Sequence, residues 1–215
     1  MNRFAVIPTR NRHQELFKAV QDIADQVDLV IVIDNGSTPA VTTRDIPCGA
    51  IVIRDSEQPP NLSRLWNLGL DQARMLGDGS HKVAVLNDDT RVPAGWFDAV
   101  AEATDRIGAA AGCSSPWPPL RQELVKVRPD RDIMNRMTGW AFMLRNTTLR
   151  ADERLRWWWG DTDLDWKARA AGGMVVIPGF TVENTLANTS TVGVLAEQAG
   201  RDRLTFQEIW GHVPW

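Results

Sequence analysis

Carboxylate and amide side chains follow two apolar runs of this 215-residue sequence. Asp34 and Asn35 come directly after LVIVI, and Asn87, Asp88 and Asp89 come directly after VAVL. Hard oxygen ligands of this kind suit Mg²⁺ or Mn²⁺, which commonly bind through one or two carboxylates and the phosphates of a substrate. Each segment alone is also typical of a turn, since Asn, Asp and Gly favour turn geometry. Because both segments are expected at the same sheet edge, a binding site explains them better than two separate turns.

A second concentration of chemical groups is the segment WWWGDTDLDW, residues 157–166. Asp161, Asp163 and Asp165 precede the helix-forming run WKARAA, so they are typical of an acidic first helical turn, where carboxylates interact favourably with unpaired amides. The adjacent tryptophans need another explanation, because three consecutive side chains cannot all point into one core. We therefore expect at least one ring to face a groove.

Six apolar runs predict the strands that would position these groups. They are FAVI (4–7), LVIVI (29–33), AIVI (50–53), VAVL (83–86), WAFML (140–144) and MVVI (174–177). Runs without polar residues are typical of strands buried on both faces. Helical patterns are predicted at 11–26, 61–76, 94–107, 161–171 and 194–209. The alternation indicates an α/β fold with one Rossmann-like, mostly parallel sheet flanked by helices, in which ligands bind at the carboxyl ends of the strands.

The composition argues against several classes of protein. The 24 Lys and Arg residues against 27 Asp and Glu give a net charge of −3, so no global positive field is available for nonspecific nucleic-acid binding. The N-terminal apolar run is too short for a signal peptide and no segment approaches the roughly 20 apolar residues of a membrane span, so we expect a cytoplasmic protein, with peripheral membrane contact as the alternative. Cys48 and Cys113 lack the spacing of a zinc site. Without a GxGxxG or P-loop motif, a dinucleotide dehydrogenase or P-loop enzyme is not expected.

The sequence resembles the family-2 glycosyltransferases of the GT-A fold over nearly its whole length. The similarity is an ordered succession of segments: VIPTRNR, IVIDNGS, NLSRLWNLGLDQA, VLNDDTRVPAGW, MTGWAFMLR, WWWGDTDLDWKARAAG and FQEIWGHVP. The chain looks closest to small bacterial and phage members that transfer rhamnose, galactofuranose or similar sugars. The resemblance implies a single GT-A domain over residues 1–215, with a nucleotide-sugar-binding half at 1–110 and an acceptor-binding half with a C-terminal tail at 111–215.

The resemblance implies a donor site at the ends of the first strands. Asp34 would recognise the nucleobase, Asp89 would be the metal ligand of the family's DXD element, and Asp88 would contact the ribose or the water shell of the metal. Asn87 takes the leading position of that element, which leaves one anionic ligand fewer. The remaining implied donor-binding residues are Pro8, Thr9, Arg10, Arg64 and Asn67; a capping or packing role is the alternative for Asn67. The cofactor would be Mn²⁺ or Mg²⁺.

The carboxylate at the position of Asp161 is the general base in this family. It would remove the proton of an acceptor hydroxyl while that oxygen attacks the anomeric carbon on the face opposite the leaving nucleoside diphosphate, which inverts the anomeric configuration. Trp157 to Trp159 would form an apolar wall for an acceptor sugar. The implied acceptor-binding residues are Gly139, Trp140, Trp158, Trp159 and Gly160.

Two positions depart from the family pattern. Gly160 stands where the family usually has a glutamate before the catalytic aspartate. The family also often has a histidine after the last strand that completes the metal shell. This chain lacks it there, so we expect Glu183, Asn184 or His212 to replace it.

The segment 114–136, rich in proline and arginine, lies where the family builds acceptor specificity. Its basic residues are Arg121, Lys126, Arg128, Arg131 and Arg136. They predict an anionic acceptor, such as a lipid-linked diphosphate sugar, a teichoic-type polymer or a modified base in phage DNA. The donor would be a UDP-, dTDP- or GDP-sugar. Two other functions remain open: a noncatalytic nucleotide-sugar-binding module, and a sugar nucleotidyltransferase, which would need a glycine-rich loop where this chain has PTRNR.

Overall fold

The computed structural model describes residues 2–46, 48–114, 123–125, 136–145, 148–185 and 193–214. The strands in these ranges are β1 (Arg3–Thr9), β2 (Leu29–Asp34), β3 (Ala50–Arg54), β4 (Lys82–Leu86), β5 (Thr90–Arg91), β6 (Ala111–Ser114), β7 (Glu123–Val125), β8 (Ala141–Arg145), β9 (Met174–Ile177) and β10 (Glu183–Asn184). The α-helices are α1 (His13–Ile23), α2 (Leu62–Leu76), α3 (Trp96–Ile107), α4 (Gly160–Ala171) and α5 (Gly193–Trp210).

Eight of the described strands form one sheet in the order β3-β2-β1-β4-β8-β6-β9-β7. The strands β3, β2, β1 and β4 are parallel to one another, and β6 is parallel to β9. The strand β8 is antiparallel to both of its neighbours, β4 and β6. The predicted α/β fold with a mostly parallel sheet is thereby confirmed.

The strand residues alternate between two cores, one on each face of the sheet. On β1, Ala5 and Ile7 belong to the core that contains the apolar stripes of α1 and α3. The intervening Phe4 and Val6 belong to the core formed with α2 and α4. Because successive strand residues point to opposite faces, continuous apolar runs are what a sheet covered on both sides requires.

The structure differs from the sequence-based prediction in the burial of one strand, in four additional strands and in the direction of one strand. The strand β3 is at the sheet edge and only partly buried, although its run AIVI predicts burial on both faces. The segment AGCS forms β6, which the pattern missed because small residues have little strand preference. The short strands β5, β7 and β10 were also missed. The run WAFML predicts a strand but does not indicate that this strand, β8, is antiparallel to its neighbours.

The C-terminal helix α5 packs against a third apolar cluster. Its Phe206 is fully buried with Leu155, Trp159 and Trp166, and Trp210 packs against the same cluster. In the described ranges, no helix combines the length and the apolar character needed to cross a bilayer.

Candidate active site

The ends of β1, β2 and β4 bring the first predicted site residues together. Thr9, the last residue of β1, pairs in register with Asp34 at the end of β2. Its backbone carbonyl accepts a hydrogen bond from Asn35 N at 2.9 Å, and its Oγ1 donates to Asp88 Oδ2 at 2.9 Å. Pro8 is buried within β1, whereas Arg10 in the following turn is exposed. The two oxygen-rich segments therefore share one sheet edge.

Asp34 holds the loop that follows β2. Its side chain is fully buried. One carboxylate oxygen accepts from Ser37 N at 2.9 Å and the other from Val41 N at 3.2 Å. These bonds fix the backbone of residues 37–41 after β2, and nucleobase contact by Asp34 stays a prediction.

A polar cluster at the ends of β2 and β3 was not predicted from the sequence. Asn35 Nδ2 donates to the Asp55 carbonyl at 3.3 Å and to the Glu57 carbonyl at 3.2 Å. Arg64, on the first turn of α2, lies 2.9 Å from Glu57 and 3.5 Å from Asp55. Arg156 donates to Glu57 at 2.9 Å. Asp55 follows the run AIVI by two residues, so the strand-end rule applied to the other runs could have found it.

Asp88 and Asp89 share an arginine. Arg12 Nη1 lies 3.2 Å from Asp88 Oδ1 and 3.1 Å from Asp89 Oδ2. Burial raises the pKa of Asp88 to about 6, although the Arg12 charge opposes the shift. Burial also raises the pKa of Asp89, again opposed by Arg12. Two carboxylates in a shielded place repel each other unless a cation lies between them, and Arg12 supplies that charge here. Sequence analysis did not single out Arg12.

The DXD-like segment fits a divalent cation that is bound jointly with substrate. Within the ranges that the structure describes, no three His, Cys, Asp or Glu side chains group closely enough to hold a metal by themselves. Asp89 Oδ1 is buried and accepts no hydrogen bond, which leaves one carboxylate oxygen for a cation. Mg²⁺ and Mn²⁺ sites of this type use one or two carboxylates, water and substrate phosphates.

The candidates for a third metal ligand lie in different surroundings. Asn184 on β10 pairs with Thr90, the residue that follows Asp89 in the sequence. It also lines a cavity that Asp161 lines as well. Glu183, the preceding residue, is exposed and faces Arg91 across the ribbon. The His212 ring packs on Trp166, with the two ring centroids 5.1 Å apart. Asn184 is therefore the candidate that the fold brings beside Asp89.

A cavity of about 440 Å³ joins the two predicted halves of the site. Asn87 lines it from the end of β4, and Asp161 lines it from the first turn of α4. Trp140, which also lines the cavity, is tied to the end of β4, because its carbonyl accepts from Asn87 N at 3.0 Å and from Thr90 Oγ1 at 2.9 Å. The other lining residues are Leu62, Ser63, Trp66, Arg136, Thr138, Gly139, Trp157, Trp158, Trp159, Gly160, Thr162 and Asn184. All the predicted acceptor-binding residues and the predicted base thus line one cavity.

Asp161 reaches this cavity from an enclosed position. A Cβ atom on Gly139 would lie 3.0 Å from Asp161 Oδ2, and Thr162 N donates to Asp161 Oδ1 at 2.9 Å. Burial raises the pKa of Asp161, and the Arg136 charge and nearby backbone N–H groups oppose the shift. A carboxylate whose pKa is raised in this way is a stronger base than an exposed aspartate.

The structure explains why Gly160 has no acidic side chain. A Cβ atom at this position would lie 2.5 Å from Ser63 Oγ and 3.1 Å from Trp66 Cζ3. The α2 helix therefore occupies the volume that a glutamate would need. Trp159, directly before Gly160, has the left-handed φ of +71°, which turns the chain into α4.

The three tryptophans behave as their spacing predicts, because they do not share a single core. Trp159 is buried against Phe206, with ring centroids 5.1 Å apart, while Trp157 and Trp158 are only partly buried. All three line the cavity. The indole Nε1 atoms of Trp66, Trp140 and Trp157 are buried without a hydrogen-bond partner among the described groups. Buried indole N–H groups usually find a partner, so these donors are suited to a ligand rich in oxygen.

Other residues singled out from the sequence support the scaffold. Asn67 is buried, exchanges hydrogen bonds with the Ala151 backbone at 2.9 and 3.0 Å, and donates to Glu153, so the packing role considered for it is the one seen. Asp163 is fully buried and accepts from Trp210 Nε1 at 3.0 Å. Asp165 forms a buried ion pair with Arg169. Asp161 and Asp163 lie in the first turn of α4, as the sequence predicts, and the structure adds that Asp163 and Asp165 are buried.

The basic segment that predicts an anionic acceptor falls largely outside the described residues. Arg121, Lys126, Arg128 and Arg131 belong to residues 115–122 and 126–135, which the structure does not describe. Arg136 is described and lines the cavity.

Comparison with known proteins identifies the family and the fold of this chain. Residues 4–160 match the model of glycosyl transferase family 2. The fold is similar to that of Staphylococcus aureus TarS in complex with UDP-GlcNAc, with a TM-score of 0.63 and 13% identity over 96% of this chain and 67% of that structure. It is also similar to TarS with UDP, with a TM-score of 0.58 and 15% identity over 82% of this chain and 58% of that structure.

A further similar structure is GalNAc-T7 with UDP, GalNAc and Mn²⁺, with a TM-score of 0.67 and 12% identity over 98% of this chain and 48% of that protein. At these identities the structures establish the GT-A fold alone. No curated protein sequence matches the chain. The family match covers most of the chain, including both oxygen-rich strand ends and the tryptophan segment up to Gly160. The chain therefore belongs to glycosyl transferase family 2.

Proposed function

We propose that this protein transfers a sugar from a nucleoside diphosphate donor to an acceptor hydroxyl, with Asp161 as the general base. The observation that carries the proposal is the cavity lined by Asn87 at one side and by Asp161 and the tryptophans at the other. A transferase needs the reacting carbon between a leaving-group site and a base, and the proposal is supported by Asn87, the residue before Asp88 and Asp89, lining the same cavity as Asp161.

The donor would bind at the ends of β1 to β4. Thr9, Asp88 and Asp89 are fixed there by hydrogen bonds and by Arg12. When bound, Mn²⁺ or Mg²⁺ would be held by Asp89 and the donor phosphates and would stabilise the charge on the leaving diphosphate. Arg12 and Arg64 lie at the same edge, and their guanidinium groups could approach the phosphates.

Asp161 would take the proton of the attacking hydroxyl. It is the one carboxylate among the described residues that line the cavity, and burial, which raises its pKa, makes it a stronger base than an exposed aspartate. A single displacement with one base on the face opposite the diphosphate would invert the anomeric configuration. Gly139 and the Thr162 backbone hold the carboxylate in one orientation.

The acceptor would occupy the tryptophan-lined part of the cavity. Aromatic rings offer apolar area for a sugar ring at low conformational cost. Each unpartnered indole N–H costs about 1–3 kcal/mol while it remains unpaired, so hydroxyl or oxyanion oxygens of an acceptor would gain by binding there. Arg136 supports an anionic acceptor, such as the phosphate-containing acceptors considered above.

A thermal-shift screen tests the donor assignment. UDP-, dTDP- and GDP-sugars, each with and without Mn²⁺, would be compared, because a ligand that binds only the folded state raises the melting temperature. Release of the nucleoside diphosphate from the best donor would then be measured for wild type and Asp161→Asn. We expect Asp161→Asn to bind the nucleotide and to lose turnover. Asp98→Asn, which alters an exposed partner of Arg3, should keep turnover and is the control. Equal turnover in wild type and Asp161→Asn would overturn the assignment of the base.

A noncatalytic nucleotide-sugar-binding module is the second candidate. Two observations favour it. Arg12 forms ion pairs with both carboxylates of the DXD-like segment, and position 87 holds an asparagine instead of an acidic residue. Such a module would bind nucleotide sugars in the screen and release no nucleoside diphosphate with any donor or metal.

A further inference from the structure

We propose that Asp202 on α5 is a positioning residue for the catalytic base and the tryptophan wall. The inference rests on the proposed function of Asp161. Asp202 lies 41 positions after the base in the sequence and outside residues 4–160, to which the family match extends. Its role would therefore be a property of the C-terminal part of this chain.

The Asp202 carboxylate binds the backbone three to five residues before the base. It is fully buried. Its oxygens accept hydrogen bonds from the N–H groups of Arg156, Trp157 and Trp158 at 3.2, 2.7 and 2.8 Å. Gln198, one turn earlier on α5, donates to Asp202 Oδ1 at 2.7 Å and holds the carboxylate in place.

Three successive N–H groups that converge on one carboxylate determine the path of the chain. A concave run of backbone amides of this kind binds an anion, and a carboxylate satisfies all three donors because it only accepts hydrogen bonds. The path leads into Trp159 with its left-handed φ of +71° and then into the first turn of α4. The position of Asp161 thereby depends on the turn that Asp202 fixes.

The α5 helix also holds the chain after the base. Phe206 packs between Trp159 and Trp166, at centroid distances of 5.1 and 4.9 Å. Trp210 Nε1 donates to Asp163 Oδ1 at 3.0 Å. The helix therefore contacts residues on both sides of Asp161 in the sequence, which restricts the base along α4 as well as at its start.

Asp202→Asn is the test of this role. The asparagine side chain keeps the shape of the aspartate side chain. It offers one acceptor oxygen to the three backbone N–H groups, and its NH₂ group, which is itself a donor, replaces the other oxygen. We expect donor turnover to fall about tenfold or more, since a misplacement near 1 Å can cost about 100-fold in rate. The affinity for UDP, measured by titration calorimetry, should stay unchanged because the nucleotide half lies on β1 to β4. Glu208→Gln changes an exposed carboxylate of the same helix and is the matched control.

The pH profile separates positioning from a general loss of folding. If the turn relaxes, water reaches Asp161, and the acidic limb of the turnover profile should move to lower pH, towards the ordinary aspartate value. Gln198→Met, which removes the supporting bond and keeps the Asp202 charge, should give a smaller shift in the same direction. It also serves as the test if Asp202→Asn does not fold.

The outcomes distinguish this inference from the proposed function. If Asp202→Asn and Gln198→Met both keep the turnover rate and the pH profile of wild type, the positioning role is wrong and the proposed function is unaffected. Loss of UDP binding in parallel with turnover would also overturn it, since that result indicates general destabilisation. Absence of wild-type turnover with every donor would overturn the proposed function instead.

Discussion

Gly139 and Asp161 approach so closely that a Cβ atom on residue 139 would lie 3.0 Å from Asp161 Oδ2 and 3.3 Å from its Cβ. The segment before β8 therefore lies against the Asp161 side chain, and there is no room for a side chain at position 139. This contact joins the segment before β8 to the first turn of α4.

Gly139→Ala should reduce turnover without a large loss of stability. The added methyl group would push the Asp161 carboxylate from its place, and we expect a fall in kcat of about tenfold or more because the geometry of a base is sensitive to small displacements. Gly200→Ala is the control, because nothing lies within 4 Å of the added Cβ. A Gly139→Ala enzyme with wild-type kcat would show that the contact does not constrain the base.

The acidic limb of the pH–rate profile should lie above the ordinary aspartate value of 3.8 and respond to Arg136. Burial raises the pKa of Asp161 and Arg136 lowers it. The base acts when deprotonated, so turnover should fall as the pH drops through this raised pKa, and Arg136→Gln should move the limb to still higher pH. Arg145→Gln, which alters a pair with Asp105, should leave the limb in place. A shift to lower pH in Arg136→Gln would contradict the assignment.

Gly160→Ala should destabilise the protein through Ser63. The new Cβ would meet Ser63 Oγ at 2.5 Å, and overpacking of this kind typically costs about 1–3 kcal/mol. Ser63→Ala removes that oxygen and also its bond to the Leu155 carbonyl. In a double-mutant cycle measured by urea unfolding, the pair should be less destabilised than the sum of the single variants. Additive effects would mean that Ser63 is not the obstacle.

Arg12→Gln should tighten Mn²⁺ binding in the absence of nucleotide. The guanidinium lies within 3.2 Å of oxygens on both Asp88 and Asp89, so it competes for the atoms that a cation would use. The affinity can be followed by the loss of the free Mn²⁺ signal in electron paramagnetic resonance. Arg10→Gln removes an exposed charge from the neighbouring turn and should have a smaller effect. Unchanged or weaker Mn²⁺ binding in Arg12→Gln would refute the competition.

Asp165 should make the protein less stable as the pH rises from about 4 to about 6. Burial raises its pKa to about 6, above the 3.8 expected in the unfolded chain. Between these values the folded state binds more protons than the unfolded state, so the free energy of unfolding decreases with rising pH. The stability of Asp165→Asn relative to wild type, measured by urea unfolding, should therefore increase from pH 4 to pH 7. Asp152→Asn, whose carboxyl has a lowered pKa, should show no such trend.

Local patterns were sufficient to predict most of the scaffold. The helices α1 and α2 follow from apolar stripes, and Asn61 caps α2 by accepting from Arg64 N at 3.1 Å, as its residue type favours. The strand-end rule placed Thr9, Asp34 and Asp88 at one edge because parallel strands end together.

Contacts between distant segments could not be predicted in this way. The obstacle at Gly160 is Ser63, nearly a hundred positions earlier, and the clamp on Trp157 is Asp202 on the last helix. Neither relationship has a local signature, because it depends on how α2 and α5 pack. The role of Arg12 was missed for the same reason: its charge matters only once β1 and β4 lie side by side.

The antiparallel strand β8 has a consequence for engineering new specificities. Among the described strands of the eight-stranded sheet, its five-residue ladder with β4 is the only pairing between strands that precede residue 110 and strands that follow it. A chimera that exchanges everything after α3 for the matching part of another family member would have to recreate that single ladder in the sheet. It would also have to keep the β5–β10 ribbon, the fit of Gly160 against Ser63 and the hydrogen bonds between Asn67 and Ala151, so exchange of the C-terminal part demands matched partners on α2.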